Sequence, residues 1–168
     1  MTQIKHMDPD RMTFRRKVLV PLFNNRVGYW YLTTLAPRID ATVTPATQAW
    51  LSSLPGTPLL LITTTGAKSG KQRTHPLMYW SRGQDVILMA SNFGRETHPA
   101  WFFNVKAHPE VTLQFRGKRG KYRARVAAGA ERDELWERAK DFIANYRTYE
   151  HRAAGKRHIQ VVVCSPAN

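Results

Sequence analysis

The sequence predicts an α+β fold in which antiparallel strands dominate and form a small closed or split β-barrel with flanking helices. Short apolar and β-branched runs follow one another across turn-forming residues, which is typical of β-hairpins. Tight turns join these consecutive runs, and this favours an antiparallel barrel over a parallel sheet with crossover helices. The chain has 168 residues, 42% of them hydrophobic. We expect a helical arm and connector over residues 1–57 and the barrel over residues 58–168.

The N-terminal part is expected to form a basic amphipathic helix followed by a connector. Residues 10–36 mix basic and apolar side chains, with a break or kink expected near Pro21. This helix either packs on its own domain with its charges in water or lies on an anionic lipid surface with its aromatic residues at the interface. Residues 37–58 contain four prolines, so we expect little regular structure there apart from a short helix over residues 46–54.

The expected barrel strands begin at Leu59. They cover residues 59–65, 74–80, 85–90, 111–115, 121–126 and 159–164. Turn-forming residues at 81–84 and 117–120 predict two hairpins. One helix is expected over residues 99–106, because proline is tolerated in a first turn, and another over residues 131–146, from the spacing of its apolar residues.

The charge of the chain narrows the class of partner. Lysine and arginine number 26 against 12 aspartates and glutamates, which gives a formal net charge of +14. Such a surface attracts polyanions, which include nucleic acid, an anionic membrane face and a phosphate-rich or carboxylate-rich small ligand. The charge alone does not choose among these three classes of partner.

Several function classes are excluded by features that the sequence lacks. No apolar run approaches the roughly 18 residues of a membrane span, and the charged start of the chain does not have the pattern of a secretory signal. We therefore expect a cytoplasmic protein. Cys164 is the only cysteine, which excludes an internal disulfide. The histidines show no metal-ligand spacing, so no metal is expected.

The most distinctive segment covers residues 63–77. Its turn is framed by Gly66 and Gly70, and the exposed backbone N–H groups of such a turn can donate to an anion. The turn also contributes Lys68, Ser69, Lys71 and Arg73. These residues could cradle a phosphate. The spacing is not that of a Walker loop, however, and an ordinary exposed hairpin would carry the same residue types.

A family resemblance begins in this segment and continues along the chain. The motifs, in order, are Thr63-Thr64-Thr65-Gly66-x-Lys68-Ser69-Gly70-x-x-Arg73-x-x-Pro76-Leu77, Ala90-Ser91, Pro99-x-Trp101-x-x-Asn104, Ala107-x-Pro109-x-Val111, Tyr146-x-x-Tyr149 and Arg157-x-Ile159-x-Val161. In order and spacing they resemble the deazaflavin (F420)-dependent nitroreductase family, F420-dependent oxidoreductases of the split β-barrel flavin/deazaflavin superfamily. The resemblance implies a split β-barrel that binds F420, a deazaflavin carrying a phosphate and a γ-glutamate tail. This polyanion would account for part of the basic charge.

The resemblance also implies roles for individual residues. The first motif would hold the phosphate and tail, the residues after the third strand would approach the deazaflavin ring, and the following helix would form a pocket wall. The implied cofactor-binding residues are Lys68, Ser69, Arg73, Thr74, Pro76, Ala90, Ser91, Asn92, Ala100, Trp101 and Asn104. The implied catalytic residues are Ser91, Tyr146 and Tyr149, because a hydroxyl can donate to an acceptor oxygen that gains negative charge.

The function implied by the resemblance is transfer of a hydride from reduced F420 to a quinone, a nitro compound or a conjugated enone. Departures from the family pattern at Ala67, Phe93 and Gln160 are expected to alter substrate preference. Two alternatives stay open: an FMN-binding split-barrel oxidoreductase, and a non-enzymatic nucleic-acid-binding β-barrel that uses the basic second hairpin. The expected partner is a small hydride acceptor, and the anionic inner face of the cell membrane would be a second partner if residues 10–36 lie on lipid rather than on their own domain. Nucleic acid is not expected, and the oligomeric state is left open.

Overall fold

The computed structural model describes residues 25–47, 49–51, 53, 59–143 and 145–167. Its centre is a closed six-stranded barrel with the strand order β1-β2-β3-β6-β5-β4. The strands are β1 (Leu59–Thr65), β2 (Gln72–Arg82), β3 (Asp85–Met89), β4 (Glu110–Phe115), β5 (Lys118–Val126) and β6 (Val161–Pro166). Every neighbouring pair is antiparallel. The predicted α+β class with an antiparallel barrel is confirmed.

Five α-helices accompany the barrel in the described part of the chain. They are α1 (Arg26–Trp30), α2 (Ala36–Ala46), α3 (Ala100–Ala107), α4 (Gly129–Phe142) and α5 (Asn145–Ala153). A π-helical turn, Tyr31–Leu35, joins α1 to α2, and a short 3₁₀ turn, Asn92–Gly94, follows β3.

Two hydrophobic cores form on the two faces of the sheet, because side chains alternate along each strand. The inner core fills the barrel with residues such as Leu60, Ile62, Tyr79, Leu88, Leu113, Val162 and Cys164. Trp101, Phe102 and Val105 of α3 join this inner core and plug one end of the barrel. The outer core packs alternate strand residues against α4 and α5 and includes Trp80, Ile87, Val161, Leu135, Trp136 and Tyr146.

The strand register brings several loops to the end of the barrel that α3 plugs, here called the α3 end. Thr65 at the end of β1 pairs with Gln72 at the start of β2, and β3 runs back toward the same end because it is antiparallel to β2. By the same rule β4 and β6 start there and β5 ends there. The β1–β2 turn, the loop before α3 and the segment before β6 therefore share one end of the molecule.

The second hairpin is tighter than predicted. We expected a turn over residues 117–120, but β5 already begins at Lys118. Arg116 and Gly117 have φ angles of 46° and 77°, and two left-handed residues in succession form the two-residue turn that matches the twist of a hairpin.

The predicted helix over residues 131–146 is in fact two helices. The chain is extended at Ile143, with φ −134° and ψ 99°, so α4 ends at Phe142 and α5 begins at Asn145. The apolar spacing continues across this break, because both helices pack on the same outer core. The apolar pattern therefore does not reveal the break, and Tyr146 belongs to α5.

The predictions for the proline-rich segment were wrong in part. The expected helix over residues 46–54 is absent among the described residues of that range, while α2 runs through Pro37 and Pro45 and ends at Ala46. Pro37 is tolerated because it lies in the first turn of α2, directly after a wide turn in which the Ala36 N–H bonds the Tyr31 carbonyl. The amphipathic prediction for residues 10–24, with its break near Pro21, lies outside the described residues.

Candidate functional site

The β1–β2 turn is closed by backbone hydrogen bonds at its two glycines. The Gly66 N–H donates to the Lys71 carbonyl at 2.9 Å, and the Gly70 N–H donates to the Gly66 carbonyl at 2.8 Å. A side chain on Gly66 would place its Cβ 2.6 Å from Ser69 Oγ, and Gly70 has a φ of 65°. The turn is thus compact enough to hold its exposed polar groups in a fixed arrangement.

Positive charge at this turn has no partner within the described residues. Lys68, Lys71 and Arg73 are exposed, and no described carboxylate forms an ion pair with them. Burial, and to a smaller extent the charge of Arg73, lower the pKa of His75. The turn can therefore accept an anionic ligand without first breaking an ion pair, and its donors fit the phosphate and tail of F420.

Asn104 holds the turn through hydrogen bonds from the buried side of the barrel end. Its Nδ2 donates to Thr64 Oγ1 at 3.0 Å, and its Oδ1 accepts from the Ala67 N–H at 3.0 Å. Asn104 is buried, and so is Thr64. The structure places Asn104 as the support of the turn, whereas its neighbour Trp101 lies in the barrel plug and is only 5% exposed.

The loop after β3 is strained. Asn92, Phe93 and Gly94 have φ angles of 46°, 56° and 75° in succession, a left-handed conformation that costs a residue such as Phe of the order of 1–3 kcal/mol. The Asn92 side chain donates to the Thr97 carbonyl at 2.8 Å, and the Gly94 N–H donates to the Ser91 carbonyl at 2.9 Å. Such strain persists only where surrounding contacts impose it.

Arg157 provides many of those contacts. It precedes β6, and its guanidinium donates to the carbonyls of Ala90, Ser91 and Arg95 at 3.2, 2.6 and 2.8 Å. Its Nη1 also lies 3.2 Å from His98 Nδ1. An arginine can only donate, so His98 is neutral and accepts at Nδ1. Burial, then Arg157 and Lys106, lower the pKa of His98, which agrees with a neutral ring.

The two tyrosines lie on α5 beside this loop. Tyr146 packs on Trp136 with ring centroids 5.5 Å apart, and Tyr149 meets the edge of Phe93 at 6.1 Å. A side chain on Gly94 would come within 2.8 Å of the Tyr149 carbonyl. The structure thus brings the loop that holds Ser91 against α5, while both tyrosines are largely buried in the outer core.

A strip of β2 side chains leads from the turn along the outer face toward Tyr79, which pairs with Leu88 near the end of β3. Gln72, Thr74, Pro76 and Met78 alternate on the outer face, and Met78 packs against the outer core. Six residue steps from Gln72 to Met78 span roughly 20 Å. The strip is polar and flanked by cations at the turn and becomes apolar at Pro76 and Met78, which suits an elongated ligand with a charged tail and a flat ring.

The remaining predicted residues are distributed as follows. Thr74 is exposed, and its hydroxyl bonds that of Thr63 at 2.9 Å. Ala90 is fully buried in the inner core, so only its backbone faces the loop. Ala100 is exposed at the first position of α3. Sequence reasoning omitted Arg157 from the site, although Arg157 opens the last of the family motifs.

Two cavities also lie at the α3 end. Their volumes are about 450 and 390 Å³, and they share Arg132 and His158 as lining residues. Arg157 lines the first. Neither is lined by the β1–β2 turn or the β2 strip, so these cavities lie apart from that exposed surface.

The described residues show neither a metal-binding cluster nor a membrane-spanning helix. They contain no group of three or more His, Cys, Asp or Glu side chains placed to hold a metal ion. None of their helices has the length and hydropathy needed to cross a bilayer. Burial raises the pKa of the Cys164 thiol to about 12, which makes it unreactive.

Together, the barrel, the cationic β1–β2 turn and the β2 strip define a class of barrel protein suited to an elongated anionic cofactor. Comparison with known proteins makes this specific, because residues 37–166 match the model of the F420H(2)-dependent quinone reductase family. The chain belongs to this family.

Individual relatives agree with the family match. An F420H(2)-dependent quinone reductase of Mycobacterium tuberculosis is 36% identical over 114 residues, which cover 66% of this chain and 75% of the relative. A solved structure of an F420-H2 dependent reductase, FDR-A, superposes with a TM-score of 0.58 at 38% identity and covers 64% of this chain and 94% of its own. A second solved structure, a domain-swapped dimer, gives 0.60 at 32% identity, with 84% and 100% covered.

Family membership confirms the resemblance seen in the motifs. The chain is an F420-dependent oxidoreductase of the quinone reductase type, and F420 is its cofactor. The FMN alternative gains no support from these comparisons, and neither does the nucleic-acid-binding barrel. Of the three acceptors expected from the sequence, quinone is the one that the family supports.

Proposed function

We propose that this chain transfers a hydride from reduced F420 to a quinone on the groove that runs from the β1–β2 turn to the loop 90–98. Bound in its reduced form, F420 supplies the hydride from its deazaflavin ring. The observation that carries the proposal is the exposed cationic turn without an ion-pair partner, joined by the β2 strip to a loop held in a strained conformation. The protein's own task is to bind, orient and exclude water.

The turn would hold the charged end of the cofactor. Lys68 and Arg73 supply charge, Ser69 supplies a hydroxyl, and Thr74 continues the donors onto the strip. Ala67 has no side-chain donor, but its backbone N–H is taken by Asn104. The Gly66 and Gly70 N–H groups are also engaged within the turn, so side chains would be its main donors, and their geometry depends on the support that Asn104 gives the turn.

The loop end would receive the ring. Ser91 lies two residues beyond Met89, which ends β3 and belongs to the outer core against which Met78 and Phe93 pack. Asn92 contributes its backbone there, because its side chain is engaged with Thr97. Ala100 is small and exposed, which leaves room beside α3. Ala90 and Trp101 would support the site indirectly: Ala90 fixes the end of β3, and Trp101 plugs the barrel.

The acceptor oxygen would be stabilised by hydroxyl donors. A quinone oxygen gains negative charge as the hydride arrives, and a hydroxyl that donates to it lowers the barrier. Ser91, Tyr146 and Tyr149 are the proposed donors. Phe93 lies against Tyr149 at the rim, so its ring would shape the space open to the acceptor and influence which quinones enter.

Steady-state kinetics test this function. Reduced F420 is mixed with the pure chain and a soluble naphthoquinone, and oxidation of F420 is followed by absorbance, with reduced FMN assayed in parallel. Turnover with F420 and not with FMN supports the proposal. Turnover with nitro compounds or enones but not with quinones would contradict the choice of acceptor.

We also propose that the face around Trp50 docks on an anionic membrane, where lipid-soluble quinones dissolve. Trp30, Trp50 and Leu51 are 57%, 62% and 61% exposed. Arg116 lies over the Trp50 ring at 5.4 Å and links this apolar group to the basic β4–β5 hairpin. Apolar side chains beside clustered cations fit an anionic interface.

Vesicle sedimentation tests the membrane proposal. At low salt the chain should sediment with vesicles of anionic phospholipid and not with zwitterionic vesicles, and Trp50→Ala should weaken the binding. Equal recovery in the supernatant with both vesicle types would contradict it.

The division into an arm at 1–57 and a barrel at 58–168 stays a prediction.

A further inference from the structure

Arg157 occupies an unusual position among the cations of this chain. Most of the basic side chains lie exposed on the surface, but Arg157 is partly buried and makes four contacts with one loop. Burial lowers the pKa of its guanidinium, although an arginine stays charged. A partly buried charge with this many partners stabilises whichever conformation provides them.

The loop that it contacts would not keep its shape unaided. Asn92 and Phe93 are left-handed without being glycines, and the backbone bonds within the turn are few. Arg157 bonds the carbonyls of Ala90 and Ser91 before the strained residues and that of Arg95 after them. The two ends of the strained turn are therefore tied to one guanidinium.

We propose that Arg157 is a positioning residue that holds the loop 90–98 in the conformation needed to bind the deazaflavin ring. This inference rests on the proposed function and adds to it a residue that does not itself touch the cofactor. The guanidinium suits the role because its planar fork of five N–H donors can serve several carbonyls at once. A lysine at this position offers one nitrogen and cannot reach all four acceptors.

The opposite side of the loop is fixed independently by α5. A Cβ on Gly94 would lie 2.8 Å from the carbonyl and 2.9 Å from the Cα of Tyr149. The loop is thus clamped between Arg157 on one side and the α5 backbone on the other. A change on either side should release the same residues.

The test compares Arg157→Met and Arg157→Lys with Arg147→Met. Arg147 is an exposed arginine of α5 whose ion pair with Asp141 lies on the surface, so it is a matched control for the loss of one positive charge. Hydrogen exchange of residues 91–97 should become faster by about tenfold or more in Arg157→Met, while exchange in the barrel strands stays unchanged. Binding of oxidised F420 should weaken by about the same factor.

A deazaflavin lacking the phosphate and tail sharpens the test. Because the loop is proposed to receive the ring, Arg157→Met should weaken binding of this fragment as much as binding of F420. Arg157→Lys should fall between the wild type and Arg157→Met in both exchange and affinity. Gly94→Ala, which acts from the α5 side, should reproduce the same pattern and keeps the proposal testable if Arg157→Met does not fold.

The outcomes separate this inference from the proposed function. Wild-type binding of F420 with unchanged loop exchange and affinity in the Arg157 and Gly94 variants would overturn the positioning role and leave the function standing. Failure of the wild type to bind F420 would overturn the proposed function. If the loop of the Arg157 variants then still exchanged faster, Arg157 would stabilise the loop structurally but would not position it for the cofactor. That result also overturns the inference.

Discussion

The β1–β2 turn and the loop 90–98 lie at the same end of the barrel but are built on opposite principles. The turn is exposed, its cations form no ion pair with a described carboxylate, and its one left-handed residue, Gly70, is a glycine. The loop is partly buried and places Asn92 and Phe93 in a left-handed conformation that glycine would adopt more easily. The β1–β2 turn attracts a charged ligand, whereas Arg157 and α5 hold the loop 90–98 in a strained conformation.

This difference suggests a division of labour. Attraction of an anion needs exposed positive charge, and the long cationic side chains of the unstrained turn supply it. Hydride transfer needs reacting atoms held within narrow limits, and an arrangement fixed before binding meets that demand. We therefore expect the turn to determine affinity for the tail and the loop to determine the placement of the ring.

The largest effect should follow from removing the charges of the turn. Lys68→Ala with Arg73→Ala should weaken binding of F420 by at least about a hundredfold, because two charge-assisted contacts to the anion are lost. Binding of the deazaflavin without phosphate and tail should not change. Fluorescence titration measures both.

The matched control removes the same two charges elsewhere. Lys118 and Arg119 lie on the β4–β5 hairpin at the far end of the barrel, so Lys118→Ala with Arg119→Ala should leave both affinities near those of the wild type. An equal loss in both double variants would mean that overall charge, rather than the turn, attracts the cofactor.

A smaller effect is expected from the support beneath the turn. Asn104→Ala leaves buried Thr64 Oγ1 without its donor and the Ala67 N–H without its acceptor, which should lower the free energy of unfolding by about 1–3 kcal/mol. Chemical denaturation measures the loss, and F420 binding should weaken in parallel.

A double-mutant cycle identifies the bond responsible. If Asn104 acts through Thr64, then Asn104→Ala should cost less in a Thr64→Val background than in the wild type. Additive losses would show that Asn104 stabilises the turn by another route.

The smallest effect concerns the charge state of His98. Burial and the neighbouring cations Arg157 and Lys106 lower its pKa below the ordinary value of 6.5. A folded state that disfavours the protonated ring contributes stability above that value and loses it as the pH falls through the lowered pKa. The protection factors of the loop amides, which correct for the slower intrinsic exchange at acid pH, should therefore fall as the pH drops below 6.5, while binding of the tail at the turn should not follow this titration.

Proton NMR of the histidine ring measures the titration directly. In Arg157→Met the pKa of His98 should rise, although burial, which is the larger cause, should keep it below 6.5. A pKa at or above 6.5 in the wild type would contradict the neutral ring that accepts from Arg157.

Much of the fold could be predicted because it follows from local patterns. Apolar and β-branched runs, alternating patterns and turn residues identified all six strands, and the spacing of Gly66, Lys68 and Arg73 identified the β1–β2 turn. These signals lie in contiguous residues. The division between α4 and α5 could not be predicted, since the apolar spacing continues across Ile143.

The support of the site was not predictable because it depends on distant contacts. Asn104 is 37 residues from Ala67 along the chain, and Arg157 is 66 residues from Ser91. Both residues belong to recognisable motifs, but nothing in the sequence shows which acceptors their side chains reach. The strained conformation of Phe93 was equally hidden, because a bulky residue gives no sequence sign of a positive φ.

The most direct test of the central claim is a crystal structure of the chain with oxidised F420. We predict one molecule that spans both regions, with its phosphate and tail within hydrogen-bonding distance of Lys68 and Arg73 and its ring beside Ser91. A ring bound away from the loop 90–98, or a tail that leaves the β1–β2 turn untouched, would contradict the account.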